Sequence, residues 1–282
     1  MGSRCELTLV ATTTPDFTFL CNELDRLESK YSRFIETSYL NAINSAAKHG
    51  ESIALDDETS GLIALADHAY NLTGGLFDIT SCKLSKIWDF KKAIVPSENV
   101  IQKALSQTGW AKCHWASPIL TFTTPNIQID LGGLVKEYAA DRCRQLAIEQ
   151  GFEAGLFDLG GDISVFGSPP HQNEWRIGIK NPMKPKEPIA TITLTQQGLS
   201  SSGNYERFFK HSGQHFGHII HPTTGQPVMY AQAVSVVHPQ TVIAGILSTS
   251  AMLMPEREAI TWLNELGVKY ILINRSGDIY QG

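Results

Sequence analysis

Asp130-Leu131-Gly132-Gly133, followed by Lys136, is the first place in this 282-residue chain where residue types and spacing point to chemistry. A strand that ends in glycines and runs into a helix turns backbone N–H groups outward. Those groups favour anions, and the glycines let a ligand approach the chain closely. A phosphate-bearing ligand suits such a turn. The turn is neither GxGxxG nor GxxxxGK[ST], so a tight turn that holds nothing is an equal reading of the same residues.

A second candidate is "GNYERFFKHSGQHFGHIIHPTTGQPV", residues 203 to 228, dense in His, Gly and aromatic side chains. His211, His215, His218, His221 and His238 fall in a stretch, 211 to 255, that contains no Asp, Glu, Lys or Arg. A strong zinc signal would put an i,i+4 pair in a helical context or bring cysteine partners, and no pair here has either. One catalytic histidine among bystanders is the better reading, because imidazole exchanges protons near neutral pH. A third candidate is "VIAGILSTSAMLM", residues 242 to 254, an apolar helix with three hydroxyls in a row. Ser and Thr in a buried helix commonly satisfy themselves on the preceding turn, which makes packing the plainer explanation.

The elements that must position these groups are legible in outline. "TLVATTT" suits a first strand, and "FTFLCNELDRLESKYSRF" follows with Phe17, Leu20, Leu24, Leu27, Tyr31 and Phe34 at helical spacing. "SYLNAINSAAKHG" and "ETSGLIALADHAYNLTGG" read as short helices, the second starting at a Thr or Ser cap and closing on Gly74. Residues 126 to 167 parse as strand, glycine turn, helix, Gly151 stop, strand, glycine turn, strand. "WRIGIK" and "IATITLT" are strands around a solvated Pro- and Lys-containing turn, and "EREAITWLNELG" with "KYILINRSG" is a closing helix and strand. Strands and helices do not alternate regularly, which predicts an α+β fold in a single domain, 1–282.

Composition narrows the function classes. Hydrophobic residues at 42% and charged residues at 18% are ordinary for a globular enzyme. A net charge of −5 with scattered Lys and Arg gives no basic stripe, which argues against nucleic acid as a partner. The five cysteines include no CxxC pair, so reduced thiols are expected. With no apolar run of membrane-spanning length and no signal-like N-terminus, the chain reads as cytoplasmic, without a membrane segment.

Taken together, the motifs resemble those of the ApbE family of FAD:protein FMN transferases. "MGSRCEL" is similar to that family's Met-Gly-Thr entry, and "GGLFDITSCKLSKIWDF" to its Gly-Gly-x-Phe-Asp-x-Thr with a following Trp-x-Phe. "DLGGLVKEYAADR" resembles Asp-Leu-Gly-Gly-x-x-Lys-Gly-Tyr-Ala-x-Asp; "DLGGDI", "SSGNYERFF", "GHIIHPTTGQPV" and "AGILSTSAML" follow in the family's order. The resemblance implies an ApbE-like α+β fold, with largely antiparallel sheets and flanking helices around a flavin cleft. It also implies Mg²⁺-assisted cleavage of FAD, transfer of FMN to a Ser or Thr hydroxyl of an acceptor protein, and release of AMP. By that resemblance Met1, Phe34, Leu76, Phe77, Asp78, Asp130, Lys136 and Ile219 contact FAD, His218 activates the acceptor hydroxyl, and Thr249 with the backbone near Gly133 holds the metal. Without it, Asp78 and Asp130 read as turn caps, Lys136 as a solvated helix residue, and Phe34 and Phe77 as core.

The sequence departs from the family at the metal site. The family's metal-binding Asp falls on Gly245, and a second position, often Asp, falls on Ser248. Glu137 replaces the glycine after Lys136, and His221 replaces an Asp. Mg²⁺ commonly takes one or two carboxylates besides phosphate oxygens and water, so its binding is expected to be weakened. The alternative expectation is therefore a family member that binds FAD or a related nucleotide without transferring FMN, or one with a changed nucleotide-dependent reaction.

Overall fold

The computed structural model describes residues 4–184, 186–205 and 207–282, and its contacts separate into two compact units. The first comprises the chain up to Glu28, Gly133–Gly203 and Tyr230–Gly282; the second comprises Ser29–Gly132 and Asn204–Met229. Strand β1 (Cys5–Val10) and helix α1 (Thr18–Tyr31) come first. The second unit then holds α2 (Tyr39–His49), β2 (Ser52–Ala54), α3 (Asp57–Leu72), α4 (Cys82–Ile87), α5 (Glu98–Ser106), β3 (Cys113–Ala116) and β4 (Ile119–Phe122). Back in the first unit are α6 (Val135–Glu149), β5 (Ala154–Leu159), β6 (Ile163–Phe166), β7 (Trp175–Lys180), β8 (Pro188–Leu194) and β9 (Gly198–Gly203). Hairpin strands β10 (Phe208–His211) and β11 (Gln214–Gly217) belong to the second unit. The first unit ends with β12 (Ala231–His238), α7 (Thr241–Met252), α8 (Glu256–Glu265), β13 (Lys269–Asn274) and β14 (Ile279–Gln281). The fold is α+β, as expected.

A seven-stranded sheet, ordered β1-β5-β6-β9-β12-β13-β14 with every neighbouring pair antiparallel, forms the spine of the first unit. Its inner strand β12, "AQAVSVVH", is buried almost throughout, and α7 packs on β12 and β9 while α6 packs on β5 and on α7. Beside the sheet, β7 and β8 form a hairpin in which "WRIGIK" alternates buried and exposed side chains. That alternation is the signature of a strand with one covered face. Residues of α7 are buried nearly all round, which accounts for its uniform apolarity. Its N-terminus has no cap of its own; instead Asp141 on α6 accepts from the N–H groups of Thr241 (2.9 Å) and Val242 (3.0 Å). This borrowed carboxylate fixes α7 against α6.

In the second unit β2, β4 and β3 make a small antiparallel sheet among helices. Two local expectations are corrected here. Helix α3 is capped by Asp56, whose carboxylate accepts from the Thr59 N–H, rather than by a Thr or Ser, because Asp56 precedes the first helical residue. Gly74 does follow the helix in a left-handed conformation. The expected strand at 126–131 joins no sheet: Ile127, Ile129 and Leu131 are buried in alternation, but the Ile129 backbone pairs with the Asn44 side-chain amide and Asp130 N donates to Ile79 O. The period-2 pattern is real, yet a side chain and a loop take the place of a neighbouring strand. Cys82 and Cys143 are buried thiols, whereas Cys5 and Cys21 lie at the surface. Among the described residues no helix is long and apolar enough to cross a membrane.

Candidate functional site

Several expected ligand contacts gather on loops of the second unit. The segment after α3 is tied to its own helix end: the Thr73 hydroxyl donates to Ala69 O at 2.7 Å and accepts from Phe77 N at 2.9 Å. That fixes Leu76 as half-buried and Phe77 as core, 6% exposed. Asp78 accepts from the Thr80 N–H and hydroxyl (2.7 and 2.6 Å) and from Trp110 N (3.1 Å). Burial pushes its carboxyl above the usual range, and the bonds from Thr80 and Trp110 and the charge of Lys112 oppose that shift. Asp78 is thus a turn cap that holds the loop.

Asp130 also caps a turn, accepting from Gly132 N at 2.9 Å, and its other oxygen pairs with the Arg33 guanidinium. Arg33 in turn lies over the Phe34 ring, 4.9 Å from its centroid. Phe34 is not core: it is 82% exposed. An exposed aromatic face backed by a cation is a stacking platform for a planar ring system. Arg33 has no place among the sequence candidates, since nothing in its local spacing marks it as the partner of Asp130.

His218 and Ile219, both half-buried, follow hairpin β10–β11. His218 N donates to Arg207 O, and the fully buried Asn204 side chain accepts from Ile219 N (3.4 Å) and donates to Val228 O (2.9 Å). Val228 N donates back to Ile219 O at 2.9 Å, and the Trp88 indole N–H donates to Gly225 O. The loop carrying His218 is therefore anchored at both ends. Asn204 is a second residue that sequence reasoning missed; a lone Asn just after a strand glycine was its only signal. No group of three His, Cys, Asp or Glu side chains converges as a metal cluster among the described residues. Met1 lies outside the described residues.

In the first unit, Gly133 is exposed, and a Cβ built on it would have nothing within 4 Å, so the backbone at the entry to α6 is open to approach. Lys136 is not a solvated helix residue. Its Nζ lies 2.5 Å from Asp162 Oδ2, while the other oxygen of Asp162 accepts from the Ser200 hydroxyl. Burial favours a neutral Lys136, but the negative charges of Asp162 and Glu137 outweigh it and hold the ammonium charged. Asp162, in "DLGGDI", is a third missed residue.

The three hydroxyls of α7 separate in function. Ser250 donates to Ile246 O at 2.7 Å, the self-satisfied arrangement expected of a buried helix. Ser248 and Thr249 both reach Ser202 Oγ at 3.0 Å, and Ser248 also donates to Gly245 O. The position beside Gly245 is filled: a Cβ there would meet Glu137 Cγ at 2.7 Å, Oε1 at 3.0 Å and Cδ at 3.1 Å. The two sequence departures, Glu137 and Gly245, are one tertiary pair. The Glu137 side chain is buried, 6% exposed, and its Oε2 has no hydrogen-bond partner among the described residues. Burial pushes its carboxyl well above the usual range, with the Asp162 charge adding to the shift.

Comparison with known proteins bears on the family and the fold. The ApbE family model matches residues 1–272. The FAD:protein FMN transferase of Treponema pallidum is 26% identical over 270 residues, spanning 89% of this chain and 74% of its own. That of Chlamydia pneumoniae is 29% identical over 260 residues, spanning 87% and 80%. The crystal structure of the ApbE protein from Thermotoga maritima superposes with a TM-score of 0.90 at 27% identity, covering 100% of this chain and 94% of that one. Apo flavinyl transferase ApbE from Pseudomonas stutzeri, 24% identical, shares the fold with a TM-score of 0.88, covering 100% and 92%.

Proposed function

This chain belongs to the ApbE family, and on that premise we propose that it is a FAD:protein FMN transferase, which cleaves the FAD pyrophosphate and attaches FMN to a Ser or Thr hydroxyl of an acceptor protein. The observation that carries the reading is the near-complete family match together with Lys136 kept charged just behind the open Gly133 turn. In this reading the acceptor oxygen forms a bond to the FMN phosphorus as the bond to AMP breaks. His218 takes the hydroxyl proton, and AMP leaves with the electron pair.

The chain's own groups divide the remaining work. The Lys136 ammonium has three donors and is paired with Asp162, which leaves donors for the pyrophosphate oxygens, whose charge it would offset alongside the N–H groups that open α6. The exposed Phe34 ring, supported by Arg33, stacks on a planar ring of FAD. Half-buried Leu76 and Ile219 give apolar contact, with Phe77 packed in the core behind Leu76, while Asp78 and Asp130 keep their loops in shape from within. A divalent cation, Mg²⁺ in this proposal, would be held by the Thr249 hydroxyl and the backbone near Gly133 and would supply Lewis-acid stabilisation to the phosphates.

The test is direct. The purified protein is incubated with FAD, Mg²⁺ and candidate Ser- or Thr-bearing acceptors, AMP is measured by chromatography, and the acceptor by intact mass. AMP release with an FMN adduct is expected, and loss of both in His218→Ala. No AMP at saturating FAD from well-folded protein would overturn the proposal.

A further inference from the structure

We infer that Glu137 supplies, from α6, the carboxylate ligand of a small divalent-cation site on α7, acting with the Thr249 hydroxyl in place of an acidic residue at position 245. Glu137 stands on the buried face of α6 among Val135, Ala139, Ala140 and Cys143, where every other buried side chain is apolar. A carboxyl group there with one oxygen lacking a hydrogen bond among the described residues is costly, because burying an uncompensated charge or polar atom disfavours folding. A residue that only filled space beside Gly245 would avoid that cost. The orphaned oxygen is what a metal ligand looks like before its ion arrives.

Placement supports the same conclusion. Gly245 leaves a notch in α7 that receives the Glu137 carboxyl end, and any larger residue would push it out. Gly245 and Thr249 are i and i+4 on that helix and so lie on one face, one turn apart. Thr249 keeps a lone pair for a cation while it bonds Ser202, because a hydroxyl both donates and accepts. Neighbours point the same way: Lys136 Nζ lies 2.5 Å from Asp162 Oδ2 and Ser200 donates to the other oxygen of Asp162, which leaves the Glu137 carboxyl beside Gly245 to take a cation. Carboxylate, hydroxyl and phosphate oxygens form a hard-donor set suited to Mg²⁺ or Mn²⁺.

The inference rests on the flavin-transfer reading only for the pyrophosphate that completes the coordination. Mn²⁺ binding to the full-length protein is followed by electron paramagnetic resonance, with and without ADP or FAD. Three proteins are compared: wild type, Glu137→Gln, and the exchanged pair Glu137→Gly with Gly245→Asp, each checked for folding by circular dichroism. Glu137→Gln is expected to weaken Mn²⁺ by about tenfold or more, and the exchanged pair to recover most of it. Equal Mn²⁺ affinity in wild type and Glu137→Gln, or no Mn²⁺ binding by wild type under any condition, overturns the inference. Binding that tracks Glu137 without any FMN transfer would leave the cation site standing and remove the transferase reading; transfer with Mn²⁺ binding indifferent to Glu137 would do the reverse.

Discussion

Replacing Asp141 by Ala should loosen α7, the helix that carries Gly245 and Thr249. Its carboxylate accepts from Thr241 N at 2.9 Å, from Val242 N at 3.0 Å and from the Ser164 hydroxyl at 3.1 Å. Thr241 is fully buried and Val242 nearly so, so their N–H groups have no ready access to water once the carboxylate is gone. Loss of a helix cap costs about 1 kcal/mol, and stranding a buried donor adds about 1–3 kcal/mol, for a total of about 3 kcal/mol. At about 2–4 °C per kcal/mol for a chain of this size, the melting transition of the unit containing α7 should fall by about 6–12 °C. Asp141→Asn, which keeps an acceptor but loses the charge, should fall by roughly half as much. Calorimetry gives the shift, and hydrogen exchange by mass spectrometry locates it: amides at the start of α7 should lose protection first. A shift under about 2 °C with unchanged α7 protection would refute the view that this helix depends on a cap borrowed from α6.

Two further expectations follow from other parts of the molecule. Asn204→Ala removes the side-chain bonds to Ile219 N and Val228 O, so the loop carrying His218 shifts; single-turnover FMN transfer at saturating FAD should slow by about tenfold or more, and an unchanged rate would count against a positioning role. Glu23 is held below the ordinary glutamate range by its bond from Arg26, against the effect of burial and with help from Arg142. Its stabilisation is therefore full above about pH 4.3, its unfolded value, and fades as pH falls through the lower folded value. The difference in melting temperature between wild type and Glu23→Gln should close on acidification and not on raising the pH.

Where structure follows from neighbours in the chain, the sequence was a good guide. Helix α6, its left-handed Gly151, and the β5–β6 hairpin with Gly160 and Gly161 at positive φ all follow from local periodicity and turn chemistry. The segment 127–131 misled because alternation reports which side chains are covered, not what satisfies the backbone, and here Asn44 does so. The site divides the same way. The motifs marked Lys136, His218 and Thr249, but the partners Asp162, Asn204 and Arg33 are distant in sequence and leave no spacing to detect. Glu137 and Gly245 look like two separate losses on paper; only packing of α6 on α7 makes them one exchange.

The strand order of the large sheet also sets when it can be made. Its first strand pairs Val10 with Ala154, and β9, fourth of the seven, pairs with β12, which follows only after the second unit's hairpin has been synthesised. During synthesis β1 must therefore wait with an unpaired edge until β5 follows, after the whole of Ser29–Gly132 has been made. Non-local antiparallel pairing is slow because its loops must close before any ladder forms. A chain released before residue 231 would hold the second unit and a sheet lacking β12, β13 and β14, with β9 offering an open edge to other chains. Quality control during expression should therefore act most strongly on C-terminal truncations, which should appear as aggregates rather than as soluble smaller proteins.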